Sequence, residues 1–334
     1  MKDERVGDDR ALLVVAGLKK HFPIHAGVLR RATGMVYALD GVSFTVDRGE
    51  TFGVVGESGS GKTTLARCIV GLLEPTDGQV VFESAVARSK DVKRRVQMVF
   101  QDPYSSLNPR MRVGAIVSEP LFIHRVGTKA DRAARAVELL GRVGLRPEHA
   151  RRYPHEFSGG ERQRIGIARA LSLDPKLMIC DEPVSALDVS VQAQVLNLLK
   201  DLQIESGFTC LLIAHNLSVV EYAADRIMVM YLGKVCEIAD SRSLYTAPLH
   251  PYTEALLSSI PKIHPRSGRQ RFVLPGSPPD PSRPPAGCRF HTRCPYAVDR
   301  CRTVEPVLVA LSDRPGRFVA CHRADELSLT GYVE

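Results

Sequence analysis

The chain has 334 residues, with 45 Lys and Arg against 37 Asp and Glu, a formal net charge of +8; at roughly 100–200 residues per domain that is one large domain or two unequal ones. Hydrophobic residues make up 44% and charged residues 25%, a globular composition that excludes wholesale disorder. No apolar run approaches the ~18–20 residues that span a bilayer, and the N-terminus MKDERVGDDR lacks an apolar signal core. A cytosolic chain is therefore expected, in which disulfides are rare and clustered cysteines read first as metal ligands.

The excess charge is unevenly placed. Residues 262–323 hold twelve Lys and Arg against four Asp and Glu, whereas the rest of the chain holds 33 of each. Outside residues 262–323 the charges sum to zero, and the expected division is a body, residues 1–261, followed by a C-terminal segment, residues 262–334, that holds this basic stretch.

In chain order, residues 51–56 (TFGVVG) predict a strand and residues 63–73 (TTLARCIVGLL) the helix that follows it. Residues 79–83, 96–101, 177–181, 209–214 and 226–231 predict further strands, with Gly, Pro or Asp in the flanking turns. This alternation is the pattern of an α/β fold. Between residues 102 and 157 the strand pattern lapses. Residues 129–143 place Ala133, Val137, Leu140 and Val143 on one helical face, so a helical insertion over about residues 102–175 is expected. From Pro261 to Pro285 eight prolines fall in 25 residues. Such a stretch excludes a helix or a central strand and predicts an extended connector, leading into a cysteine-rich segment too small for a large core of its own.

The segment Gly56-Glu57-Ser58-Gly59-Ser60-Gly61-Lys62-Thr63 fits G-x-x-x-x-G-K-[ST] in full, between a predicted strand and a predicted helix. Its glycines let the backbone curl so that successive N–H groups, including those near Ser58 and Ser60, point at phosphate oxygens. The helix that follows adds its positive N-terminal end. Lys62 is placed to reach the β- and γ-phosphates, and the Thr63 hydroxyl to ligate Mg²⁺. Nucleoside triphosphate binding is the expectation. Further on, the apolar run at residues 177–180 ends in Asp181 and Glu182. In P-loop proteins such an Asp holds Mg²⁺, and Glu182, pointing elsewhere, is placed to polarise an attacking water.

Phe157-Ser158-Gly159-Gly160-Glu161-Arg162-Gln163-Arg164 precedes a helix-period segment, so it marks a second exposed helix N-terminus. It resembles the signature motif of ABC ATPases, with Glu161 where the commonest form has Gln. Gln101 in VFQDP resembles the family's Q-loop glutamine, which senses Mg²⁺ and the attacking water. Ser185-Ala186-Leu187-Asp188 resembles the D-loop, and His215 in LLIAHNL the switch histidine that contacts the γ-phosphate. The resemblance implies a P-loop ABC ATPase domain with a helical subdomain. It implies catalysis by Glu182, His215, Gln101 and Lys62, and Mg²⁺ held by Thr63, Gln101 and Asp181. Nucleotide contacts are implied for Gly56, Ser58, Gly59, Ser60, Gly61, Lys62, Thr63, Thr64, Gln101, Ser158, Gly159, Gly160, Glu161, Asp181 and Asp188. For adenine stacking Phe22 in LKKHFP fits the family's position, while Tyr37 lies closer to the glycine loop.

The segments LKKHFP, LRRATG, ALDGVSF, QDPYSSLNPR, HPYTEALLSSIP and LPGSPPDPSRPPAGC resemble the ATP-binding subunits of bacterial dipeptide/oligopeptide importers, a group that includes some nickel importers. The resemblance runs from about Leu12 to Arg323. It implies an ATPase that powers peptide uptake from the cytoplasmic face of the membrane. The implied partners are a second, similar but non-identical ATPase subunit, two transmembrane permease subunits docked near residues 101–111, and an extracytoplasmic substrate-binding protein. Each ATP would lie between one P-loop and the opposite signature motif. An importer ATPase for another solute such as nickel, or a soluble non-transport ABC ATPase, are the alternatives.

The spacing Cys288-x5-Cys294-x6-Cys301-x19-Cys321 lets four thiolates converge on one metal centre, with Zn²⁺ or an iron–sulfur cluster as candidates. Spacing alone does not choose between them. The importer resemblance implies a [4Fe–4S] cluster, with Zn²⁺ the alternative. Cys68, Cys180, Cys210 and Cys236 lie in apolar runs and read as core residues. The basic residues of the segment are dispersed among prolines without interleaved aromatics, so specific nucleic-acid binding is not expected. Local compensation of the cluster's negative charge is an alternative reason for them.

Overall fold

The computed structural model describes residues 10–26, 31–83, 85–86, 90–260 and 274–332. Its contacts divide the chain into two units, Met1–Val46 with Thr51–Val81 and Ala214–Glu334, and Asp47–Glu50 with Phe82–Ile213.

In the first unit the strands Ala11–Ala26 and Arg31–Asp47 lie side by side, with Asp77–Phe82 on the other flank of Ala11–Ala26. Val42, Phe44 and Val46 are buried at period two, the spacing of one strand face. The two long strands escape a search for apolar runs because Lys19, Lys20 and His21 interrupt the first of them. In the other sheet of this unit the strand Thr51–Val55 is buried at every position, as parallel strands covered on both faces are. It runs parallel to Arg226–Tyr231, pairing Val54 with Met228. Lys234–Asp240 continues the sheet antiparallel, and the short strand Phe318–Val319 adds to it with Glu237 opposite Val319. The C-terminal segment thus joins the sheet. Residues 274–285 carry neither helix nor strand, as their prolines require; the expected connector residues 261–273 lie outside the described residues.

In the second unit Val96–Val99, Leu177–Asp181 and Thr209–Ala214 form parallel pairs, with Met98 opposite Ile179 and Cys180 opposite Leu212. The helices Val113–Ile123, Lys129–Arg142 and Gly159–Leu171 belong to this unit, with Val189–Ser206 after them. Lys129–Arg142 starts at a reciprocal cap, Thr128 accepting from the Asp131 amide while Asp131 accepts from the Thr128 amide. Its buried face differs from the expected one. Ala136, Leu139 and Leu140 are buried, with Val143 just beyond the helix, whereas Ala133 and Val137 are exposed. The i, i+3, i+4, i+7 set starting at Ala136 is the buried stripe; Ala133 lies in the exposed N-terminal part of the helix and Val137 about 100° round the helix from Ala136. The four cysteines outside the tail are all buried, in line with a core role.

Candidate active site

In the first unit the strand Thr51–Val55 delivers the chain into the glycine loop, and the helix Lys62–Ile69 leaves it. Gly56 has φ 155°, and a Cβ there would lie 2.2 Å from the Met230 carbonyl oxygen and 2.8 Å from Ser60 Oγ. Only glycine fits. Gly61 caps the helix in the left-handed region and provides no side-chain acceptor. Lys62 is 5% exposed. Its Nζ donates to the carbonyls of Gly56 (2.7 Å) and Glu57 (3.0 Å) and to Ser60 Oγ (3.4 Å). Ser58 and Gly59 are exposed at the tip, and Thr63 and Thr64 are half-buried on the helix. Tyr37 is met edge-on by His21 at 4.7 Å, while Lys20 Nζ stands 5.0 Å above the ring of half-buried Phe22. His215 is exposed directly after the strand Thr209–Ala214, and Asn216 caps the next helix by accepting from the Ser218 amide.

In the second unit Asp181 is 3% exposed at the end of its strand. Glu182 has φ 46°, a left-handed conformation that strains a non-glycine residue and is held by the surrounding bonds. Its amide donates to the Ile213 carbonyl (2.9 Å), and its own carbonyl accepts from Ser185 Oγ (3.1 Å). Gln101 Nε2 donates to Glu182 Oε2 at 2.8 Å. Two residues that the sequence singled out, 81 positions apart, are thereby in contact.

Ser158 caps the helix Gly159–Leu171. Its hydroxyl accepts from the Glu161 amide (3.3 Å), and Glu161 Oε2 accepts from the Ser158 amide (2.9 Å). Glu161 therefore completes a capping box, a role open to Glu or Gln alike. The Ser158 amide holds its carboxyl below the usual carboxylate range. A Cβ on Gly160 would stand 2.5 Å from Val191 Cγ1 on the helix Val189–Ser206, so glycine permits this close approach. Asp188 is exposed at the head of that helix.

The four tail cysteines, with His291 and His322, line one cavity of about 20 Å³. The Cys288 amide donates to the Cys301 carbonyl (2.8 Å), and the Arg323 amide approaches Cys321 Sγ (3.5 Å). Burial pushes the Cys288 thiol up to about 11 and the Cys294 thiol up to about 12. Although the four thiols share a cavity, no three His, Cys, Asp or Glu side chains among the described residues converge as the ligands of one ion.

Sequence reasoning missed three residues around the phosphate loop. Glu57 occupies a free position of the motif, yet its amide donates to Tyr252 Oη (2.8 Å) and its carboxylate accepts two bonds from Arg293 (2.7 and 3.2 Å). A signal was present only in retrospect, as an Arg beside Cys294 and a Tyr in HPY.

The chain matches the ABC transporter family over residues 39–185 and the oligopeptide/dipeptide transporter C-terminal region over residues 236–301. It is 51% identical to the oligopeptide transport ATP-binding protein AppF of Bacillus subtilis, over 94% of this chain and 98% of that protein. A putative peptide import ATP-binding protein of Brucella ovis is 52% identical over 93% of this chain and 98% of its own length. Among solved structures, the dimeric ATP-binding cassette MJ0796 in a post-hydrolysis state bound to ADP and Pi is similar at 29% identity and TM-score 0.61, covering 69% of this chain and 99% of that one. The cbiO1 protein of Clostridium perfringens is similar at 26% identity and TM-score 0.60, covering 71% of this chain and 91% of that one.

Proposed function

Because the chain belongs to the family of ABC transporter ATP-binding subunits, we propose that it hydrolyses ATP to drive the uptake of dipeptides or oligopeptides across the cytoplasmic membrane. The 2.8 Å contact between Gln101 and Glu182 carries the catalytic part of this reading. The peptide class is supported by the C-terminal region matched at residues 236–301 and by the names of the relatives.

In this reading the loop amides from Ser58 to Thr64 and the Lys62 ammonium hold the β- and γ-phosphates, Lys62 turning from the carbonyls it now meets. Phe22 stacks on adenine in preference to Tyr37, whose ring already receives His21. Thr63, Gln101 and Asp181 offer hydroxyl, carboxamide and carboxylate oxygens, hard donors suited to Mg²⁺. Bound there, Mg²⁺ would neutralise charge on the phosphates. Glu182 orients and polarises the attacking water, with Gln101 fixing the direction of its carboxylate, and His215 contacts the γ-phosphate. Ser158 to Glu161 and Asp188 face the nucleotide of a second, similar ATPase subunit. The dimeric state of the similar cassette MJ0796 supports that arrangement. Two permease subunits would rest near residues 101–111, where Tyr104 is 65% exposed, and an extracytoplasmic binding protein would deliver the solute. No helix among the described residues is long and apolar enough to cross a membrane; a place on the cytoplasmic face goes with the proposed permease partners.

Cys288, Cys294, Cys301 and Cys321 would hold a [4Fe–4S] cluster, with Zn²⁺ the alternative. The clustering of the four cysteines in the sequence and their soft thiolate donors support this assignment.

Glu182→Gln in the assembled transporter should retain ATP binding and lose turnover by at least about a hundredfold. Unchanged steady-state turnover would refute the catalytic assignment. Absence of ATP-dependent peptide uptake into proteoliposomes, with ATPase activity intact, would move the function to another solute.

A further inference from the structure

Glu57 is a junction in the phosphate loop. Its carbonyl accepts from Lys62 Nζ (3.0 Å) and from the Ser60 amide (3.1 Å), so its position fixes where the lysine and the next loop amides stand. Its amide and side chain are both held from beyond residue 250. Tyr252 Oη accepts the amide, and Arg293 clamps the carboxylate through both Nη atoms. Arg293 is itself fixed. It is 6% exposed, its Nε donates to the Pro275 carbonyl (3.1 Å), and its guanidinium lies 6.0 Å from the Tyr231 ring centroid. Tyr231, Tyr252 and Phe290 pack against one another at centroid distances of 4.7–5.2 Å, so the clamp rests on a rigid aromatic base. The same segment supplies a wall beside the loop. Ser58, Gly59 and Ser60 share a cavity of about 330 Å³ with Pro278, Pro279 and Pro281. The Pro281 carbonyl accepts from the Tyr37 amide (3.1 Å).

Resting on the ATPase reading above, we infer that Arg293 is a positioning residue for nucleotide binding: by gripping Glu57 it holds the phosphate loop open to the phosphates at the curvature that aims Lys62. A bidentate guanidinium–carboxylate pair suits this task because it fixes orientation as well as distance. Lysine at the same place would keep the charge and lose the orientation. The C-terminal segment thereby sets the affinity of the ATP site without touching ATP.

The test is a double-mutant cycle on the full chain assembled with its permeases, read as KM for MgATP and as kcat at saturating MgATP. Arg293→Gln and Glu57→Gln should each raise KM by about tenfold, a loss on the scale of a charged hydrogen-bonded pair, while kcat stays within about twofold. The double variant should match either single variant, because both remove one clamp. Arg293→Lys should recover part of the loss. A merely structural arginine would lower kcat through loss of active protein at unchanged KM, and that result overturns the inference. So do KM values that multiply in the double variant, or single variants with wild-type KM. If Arg293→Gln does not fold, the KM values of Arg293→Lys and Glu57→Gln decide the matter by the same criteria. Wild-type protein that fails to bind ATP would instead overturn the ATPase reading.

Discussion

Replacing Arg317 with methionine isolates one buried charge and gives a pH signature that can be worked out beforehand. Glu237 is fully buried and accepts from Arg317 Nη2 (2.8 Å), from the Leu249 amide (3.0 and 3.1 Å) and from the His250 amide (3.0 Å). Arg317 Nη2 also donates to the Ala247 carbonyl (2.6 Å). Burial pushes the Glu237 carboxyl above its ordinary value of 4.5, against the pull of Thr253, Arg317 and the amides. An acid whose folded pKa is raised holds its proton more tightly when folded, so its contribution to stability falls as pH rises through the unfolded value. Removing Arg317 raises the folded pKa further. The variant can bury Glu237 charged, at about 3–5 kcal/mol for a broken buried pair, or protonate it at about 1.4 kcal/mol per pH unit above the unfolded pKa. At pH 8 protonation costs about 5 kcal/mol, so the expected loss is about 3–5 kcal/mol; at pH 5.5 it shrinks towards about 1.4 kcal/mol. Glu237→Gln with Arg317→Met keeps an acceptor for the amides and removes both charges, so most of the loss at pH 8 should return. Urea unfolding followed by far-UV circular dichroism suits a chain without tryptophan. Equal losses at the two pH values, or a double variant no better than the single one, would refute the reasoning.

Two further outcomes follow from named contacts. Gly160→Ala sets a methyl group about 2.5 Å from Val191 Cγ1, and because Val191 is β-branched and stiff at χ1 in a helix, the signature turn is expected to give way to the helix Val189–Ser206. Turnover should fall at least about tenfold, equivalent to about 1.4 kcal/mol of misplacement, with ATP binding to the chain's own phosphate loop retained; wild-type turnover would show that the turn tolerates the shift. Because burial holds the Cys288 and Cys294 thiols at about 11 and about 12, each must lose a proton to become a ligand. Iron or zinc uptake by the metal-free chain should therefore weaken as pH falls from 8.5 to 6.5, measured as bound metal per chain, and pH-independent uptake would point to ligands other than these thiols.

The phosphate loop and the carboxylate-ended strand were legible because each is a local pattern: strand, turn and helix follow one another within about twenty residues, and their chemistry is written in the side chains themselves. The contact between Gln101 and Glu182 is different. Its partners come from separate strands, and only the parallel register of Val96–Val99 on Leu177–Asp181 brings the two strand ends level. The buried face of Lys129–Arg142 was misjudged because small apolar residues occur around most of that helix, so period alone left the stripe's phase open. Glu57 could not be found from sequence, since the motif places no demand on its side chain and its partner lies 236 residues further on.

The same limit governs the charge. Counted by segment, the C-terminal surplus reads as attraction for a polyanion or as compensation for a thiolate cluster. The structure pairs three of the twelve basic residues with carboxylates that precede residue 262. Arg289 grips Asp40 and the Leu232 carbonyl, Arg293 grips Glu57, and Arg317 grips Glu237. These three arginines are 9%, 6% and 6% exposed. A guanidinium withdrawn from water must be matched by an acceptor at its own place, and a charge so matched contributes little to the field at a distance. A surface built to attract polyanions would leave such groups in solvent. Here each fastens a different part of the ATPase body, the strand Arg31–Asp47, the phosphate loop and the strand Lys234–Asp240. Segment counting separated the members of each pair, and these three charges of the basic surplus are matched inside the fold rather than offered to solvent.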